Sequence, residues 1–355
     1  MKLLTPFTAG ELQLPNRVLM APLTRVRADR QHVATDLIAE HYRQRASAGL
    51  LIAEATMVAG DARAFGWEPG IYSPAHVEGW RKVTETVHAA GGRIVLQLWH
   101  PGRASHHDLN HGVQPVSSSN KAIRDDTIHT PNGKQPYPVP RPLRTDELPG
   151  IIELFRRGAE NAREAGFDGV ELHGAHGYLL DQFLRDGVND RTDVYGGSLA
   201  NRARLLSETI DAAIDVFGAG RVGVRISPLV SFNDMHDSDA PALVAHVAEG
   251  LQRRGAAYLH LRHANHALPA EVELARIARR HYRGALILNG GFTRETGEEA
   301  VVSGLADAIA YGMPFIANPD LPRRFQLNAP LNAVDEATLY TEGPKGYVDY
   351  PFLPV

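Results

Sequence analysis

Short runs of consecutive apolar residues recur along this chain. Between them lie longer stretches in which apolar positions return every three or four residues. The short runs fall at Val18–Pro22, Leu50–Ala55, Ile94–Trp99, Gly169–His173, Val222–Ser227, Tyr258–Arg262, Ala285–Gly290 and Ala308–Gly312. Runs of this length without polar alternation predict strands buried on both faces. The stretches between them predict helices at Asp36–Ala48, Ala75–Ala90, Glu147–Ala165, Leu199–Phe217, Ala240–Arg254, Glu271–Tyr282 and Arg294–Ser303. Most open after a capping residue such as Thr35, Ser198 or Thr293, and most stop at a glycine, the usual asymmetry of helix ends. Eight strand–helix units in succession predict an α/β fold, a (β/α)8 TIM barrel, across a single domain of residues 1–355. The alternative, a doubly wound open sheet, would call for GxGxxG after the first strand, and none is there.

Three stretches depart from the alternation. Residues 3–15 alternate around Ala9-Gly10, which predicts an N-terminal β-hairpin. Pro101–Arg144, after strand three, holds seven prolines and Ser117-Ser118-Ser119-Asn120. A loop of that length within a compact domain predicts a functional lid or pocket wall at the barrel mouth. The tail from Glu336 is rich in aromatics and proline and is expected to dock on the barrel.

Bulk properties narrow the chemistry. Hydrophobic content of 43% and charged content of 22% are ordinary for a globular chain able to bury a large core. The net charge of −4 gives no reason to expect nucleic acid or an anionic membrane as partner. The absence of cysteine excludes disulfides, thiolate nucleophiles and cysteine-linked flavin, and fits a reducing, cytoplasmic setting. The first ten residues carry no apolar signal core, and no run of apolar residues is long enough to span a membrane.

Active sites of such barrels lie at the C-terminal ends of the strands. Strand four delivers His173, His176 and Tyr178 on one turn, before an amphipathic helix from about Leu179. Strands seven and eight end in Asn289-Gly290-Gly291 and Tyr311-Gly312-Met313, each before a helix. Glycine-bearing turns of this kind expose backbone N–H groups suited to a phosphate, although tight turning alone also explains single glycines. Gln97 and Arg225 sit within apolar runs. Either they pair with Glu54 or Glu171, or they address a flat polar heterocycle from two sides. His173 and His176 read as donors to a substrate oxygen with Tyr178 as proton donor, as structural histidines, or as metal ligands with help from His100, His260 or His263.

Seven segments together resemble one family over nearly the whole chain. They are Ala21-Pro22-Leu23-Thr24-Arg25, QLWHPGR at 97–103, VELHGAHGYLLDQFL at 170–184, NDRTDVYGGSLANR at 189–202, RISP at 225–228, FIANPDL at 315–321 and GYVDYP at 346–351. The family is the old yellow enzymes, FMN-dependent ene-reductases, and the likeness is greatest to bacterial nitrate-ester and enone reductases. The resemblance implies non-covalent FMN, reduced by NADPH or NADH in a ping-pong cycle, and an electron-poor alkene or nitro compound as substrate. It implies that Pro22, Leu23 and Ala55 line the isoalloxazine and that Thr24 hydrogen-bonds its C4 carbonyl. Gln97 and Arg225 would hold the pyrimidine edge, and Gly290, Gly291, Gly312 and Met313 the phosphate. His173 and His176 would grip the substrate oxygen, Tyr178 would protonate the α-carbon, and Trp67, Trp99 and Tyr347 would shape the pocket. No metal is implied, and the chain is expected to be a monomer or homodimer.

Three departures qualify this, one of them Trp67 in place of a commoner tyrosine. The family's usual arginine is replaced by Met313, which leaves backbone amides or another cation such as Arg294 to meet the phosphate and predicts weaker FMN retention. His263–Pro269 (HANHALP) lacks the family pattern, which leaves substrate preference open. Two rival classes remain at this stage: a metal-dependent barrel hydrolase, and a flavin-binding barrel with little turnover.

Overall fold

The computed structural model describes residues 1–354. Eight parallel strands close into a barrel in chain order: Val18–Met20, Leu51–Met57, Ile94–Trp99, Gly169–Gly174, Val222–Ile226, Tyr258–Arg262, Ala285–Asn289 and Ala308–Tyr311. Each coincides with one of the eight apolar runs. All but one of their residues are buried, as strands sandwiched between a packed interior and an outer helical layer must be.

Three apolar cores hold the fold. Inside the N-terminal half, Leu19, Ile52, Val95, Tyr258 and Ile287 pack against Leu12 and Leu14 of the expected hairpin, Phe7–Ala9 with Leu12–Leu14. The hairpin plugs the barrel floor, where Glu11 N–H donates to the Gly220 carbonyl. A second, larger core joins strands to helices. A third, at the mouth, gathers Ala55, Met57, Trp99, Ile123 and Tyr178. With its floor filled, the barrel is open to ligands only at the C-terminal end.

The helices match the sequence pattern, with three instructive differences. The stretch expected as one helix over 199–217 is two, Leu199–Arg202 and Arg204–Phe217. Buried Arg202 is drawn sideways, donating to the Leu184 carbonyl and to Asp186. The first helix stops at Gln44 rather than Ala48, because Arg45 turns inward onto the carbonyls of His41, Phe315 and Ile316. The segment after Tyr178, expected to be amphipathic, is a six-residue helix, Leu179–Leu184, buried on every side.

The long loop after strand three is the expected pocket wall. It carries a hairpin, Thr127–Thr130 with Gly133–Pro136, and a short parallel pair, Val116–Ser117 with Arg141–Pro142. Gln182 ties this wall to the turn after strand four. Its Oε1 accepts from Arg103 N–H and Ser117 Oγ, and its Nε2 donates to the carbonyls of Pro101 and Gly177. A side chain at Gly102 would collide with it, since a Cβ there would lie 2.2 Å from Gln182 Oε1.

Candidate active site

The turn after strand four stands between two cavities at the barrel mouth. Its geometry is tightly fixed. His176 adopts a left-handed backbone (φ +56°), costly for a residue with a Cβ. Four bonds hold it there: His176 N–H donates to Ser227 Oγ, Asn233 Nδ2 to the His176 carbonyl, Gly177 N–H to Asp181, and Gln182 Nε2 to the Gly177 carbonyl. Strain fastened this heavily marks a position whose side-chain direction matters.

His173, His176 and Tyr178 are brought together as expected. The His173 ring centroid lies 5.5 Å from that of His176 and 5.0 Å from that of Tyr178. Burial, and after it the Arg225 guanidinium, holds both imidazoles well below the usual histidine range, so they are neutral near pH 7. His173 Nδ1 accepts from Ala175 N–H at 3.3 Å, which leaves its ring proton on Nε2. Burial pushes the Tyr178 hydroxyl well up, so it is a phenol throughout the physiological range.

The first cavity, of about 560 Å³, is bounded by Tyr178, Phe65, Trp67, Ile128, Tyr137 and Tyr340 among others. Ile128 and Tyr137 come from the long loop. Glu68 shapes the opposite rim: its buried carboxyl accepts the Ala64 and Phe65 N–H groups, and burial raises it to about 7. Trp67 lines this cavity, as expected. Trp99 does not reach it. Fully buried, it supports the wall from behind, edge-on to Tyr178 and tilted against Phe65.

Tyr347 is a correction. It is wholly buried away from both cavities, stacked on His41 at 3.9 Å between centroids and covered by the guanidinium groups of Arg25 and Arg27. Tyr340, seven residues earlier, takes the expected place, stacked on Phe65. The aromatic-rich tail signalled that some ring would arrive, but not which one.

The second cavity, of about 470 Å³, collects Pro22, Leu23, Arg225, Gly290, Gly291, Gly312 and Met313, with His176 at its edge. Among the described residues no carboxylate lines it. Arg225 is neighbour in register to His173 on one side and His260 on the other. It pairs with neither Glu54 nor Glu171: its Nη2 donates to Asn289 Oδ1 at 2.8 Å, and its buried Nε has no partner. Gln97 does bond Glu171, Nε2 to Oε1 at 2.7 Å, and His260 Nδ1 is held by the other carboxylate oxygen. Ala55 belongs to the mouth core with Trp99 and Tyr178, beyond a register shift between Ala53 and Thr56. Thr24 is half-buried, and its hydroxyl makes no hydrogen bond among the described residues. Gly290 (φ +141°) has to be glycine, because a Cβ would lie 2.5 Å from the His263 carbonyl oxygen.

Sequence reasoning passed over two residues here. Asn289 orients Arg225, and Arg262, last in strand six, lines the cavity. Position at a strand's C-terminal end was the available signal for both. Arg294, the cation expected to serve the phosphate, is not in the cavity. It donates to the Phe325 carbonyl and pairs with Glu295. Nor does His263–Pro269 face the first cavity: His266 Nδ1 lies 3.0 Å from the Gly290 carbonyl oxygen and its ring stacks on Phe292. The three further metal ligands weighed with His173 and His176 are also engaged, His260 with Glu171, His263 with Glu271, and His100 Nδ1 as acceptor from Gly102 N–H.

A barrel whose mouth joins an aromatic cavity to an acid-free, glycine-edged, cationic one defines a class: (β/α)8 oxidoreductases that hold a flat anionic cofactor under the substrate. The profile described as NADH:flavin oxidoreductase / NADH oxidase family matches residues 2–332, and the chain belongs to that family, that of the old yellow enzymes. It is 48% identical to 12-oxophytodienoate reductase 1 of Oryza sativa subsp. japonica over 99% of this chain and 93% of the relative. It is 46% identical to a probable flavin mononucleotide-dependent alkene reductase of Leishmania infantum, over 99% and 97%. The structure of morphinone reductase in complex with tetrahydroNAD superimposes with a TM-score of 0.96 at 44% identity, covering 100% of this chain and 98% of that one. The chain is an FMN-dependent, NAD(P)H-oxidising reductase of activated C=C bonds. Among the described residues no helix is long and apolar enough to cross a membrane.

Proposed function

We propose that the two cavities are the two halves of one site, the cationic one for FMN and the aromatic one for an electron-poor alkene. The residues fit that cofactor. The Arg225 Nε is buried without a hydrogen-bond partner, and the glycine turns leave backbone room for a phosphate. Bound there, FMN would supply the redox chemistry, hydride transfer between NAD(P)H and the alkene. The complex of morphinone reductase with tetrahydroNAD supports a nicotinamide donor.

The chain's own residues do the rest. His173 and His176 donate hydrogen bonds to the carbonyl or nitro oxygen of the substrate, drawing electron density from the alkene. Neutral imidazoles suit this task, since they stabilise developing negative charge without being titrated by the medium. Tyr178 delivers a proton to the α-carbon. Trp67 and Tyr340 flank the substrate, and Gln97, Thr24 and Arg225 face the flavin's polar edge. Nitrate esters, which offer similar oxygen acceptors, fall within this reading. We take a cytoplasmic monomer or homodimer as the working form.

The observation that carries the proposal is the neutral histidine pair set beside an acid-free cationic cavity. Visible spectroscopy tests it. Purified protein should show a flavin spectrum, bleach with anaerobic NADPH or NADH, and recover with cyclohexenone. Bleaching without recovery would favour a flavin-binding barrel of little turnover, and a colourless protein that takes up no FMN would sink the proposal.

A further inference from the structure

We infer that Arg262 is the residue that meets the cofactor phosphate and sets the preference for FMN over uncharged flavin. This rests on the flavin reading above. Arg262 closes the sixth strand in register with Asn289, the residue that leads into Gly290-Gly291. It lines the same cavity as both glycine-bearing turns. Among the described residues its guanidinium makes no hydrogen bond or salt bridge, and its Nη1 is buried without a partner. A guanidinium has five N–H donors and cannot shed its charge, so a cavity-lining one with no partner awaits an anion.

Among the described residues no acid pairs with it directly. Glu271, the acid whose charge acts on Arg262, is turned away, its two oxygens held by the His263 ring and by Ala264 N–H. Arg225 adds a second positive charge to the same cavity, yet the two guanidinium groups differ. That of Arg225 is anchored on Asn289 Oδ1, whereas that of Arg262 is free. Arg262 is also fixed to the phosphate turn by the chain that follows it. His263 N–H donates to the Asn289 carbonyl at 2.7 Å, and His266 N–H to the Gly290 carbonyl at 3.0 Å. Met313, across the cavity, brings a thioether and no charge. The segment 262–266 is therefore one unit, a cation and the turn it serves.

The test compares FMN with riboflavin, which differ only by the phosphate. Dissociation constants are measured by quenching of flavin fluorescence for the wild-type protein freed of flavin, Arg262→Gln, Arg262→Lys, and Arg262→Gln combined with Met313→Arg. Loss of a charge-assisted bond to the phosphate should weaken FMN roughly 10- to 100-fold in Arg262→Gln while leaving riboflavin within about twofold. Arg262→Lys should keep part of the difference, and Met313→Arg should restore most of it by supplying a guanidinium from the eighth strand. Unchanged FMN affinity, or equal loss for both flavins, would overturn the inference. A wild-type protein that binds neither flavin would instead overturn the flavin reading on which it depends.

Discussion

The Trp99 indole and the Tyr178 phenol meet edge to face, with ring planes perpendicular and centroids 5.2 Å apart. Such a pair is favoured by the ring quadrupoles and fixes the phenol's direction. Trp99 therefore braces Tyr178 from behind and does not itself line the cavity.

Replacing Tyr178 by Phe keeps that contact and removes the hydroxyl. The alkene half-reaction should slow by roughly 10²- to 10⁴-fold, the usual worth of a positioned general acid. Reduction by NAD(P)H should stay near the wild-type rate. Stopped-flow measurement of the two half-reactions separates them, and equal slowing of both would remove Tyr178 from the proton-donor role.

The histidine pair makes a statement about pH. Burial is the larger cause of the low imidazole values and Arg225 the next. A nearby cation disfavours imidazolium, so removing it raises these values part of the way back. Wild-type alkene reduction should be flat from about pH 6 upward with respect to these groups, given an ordinary histidine value near 6.5. Arg225→Gln should move the acid limb of the profile toward neutrality. An unmoved limb would mean that burial alone sets the pair.

Tyr340 and Tyr347 should separate function from stability. Tyr347→Ala empties a fully buried site beneath two guanidinium groups and should cost about 3–5 kcal/mol, as large-to-small aromatic core changes do. Tyr340→Ala, on an exposed residue, should leave the melting temperature nearly unchanged and raise KM for the alkene. The reverse pattern would restore Tyr347 to the pocket.

Glu68 carries a pH signature in stability. Its folded value, about 7, lies above the ordinary 4.5, so its contribution is complete below about pH 4.5 and lost as pH rises through 7. Glu68→Gln mimics the protonated carboxyl. The stability of this variant relative to wild type should rise between pH 5 and pH 8, by up to about 3 kcal/mol if the whole shift is expressed. Denaturant melts at the two pH values measure it, and a gap that stays constant would show that Glu68 titrates normally.

The chain's own pattern determined the barrel. Strands buried on both faces leave uninterrupted apolar runs, so their number, order and approximate ends could be read directly. It also determined the turn from His173 to Tyr178, because a strand end and a helix start bracket those residues within a few positions. Tertiary structure alone decided the rest. Tyr340 and Tyr347 sit in a tail without periodicity, and which ring enters the pocket depends on where Arg25, Arg27 and His41, more than 290 positions away in sequence, receive the other. Whether Arg262 is paired or free turns on His263 holding Glu271. Sequence period sets the face a side chain shares with its near neighbours, but the partner of a buried charge is chosen across strands and loops, by distances that only the closed barrel defines.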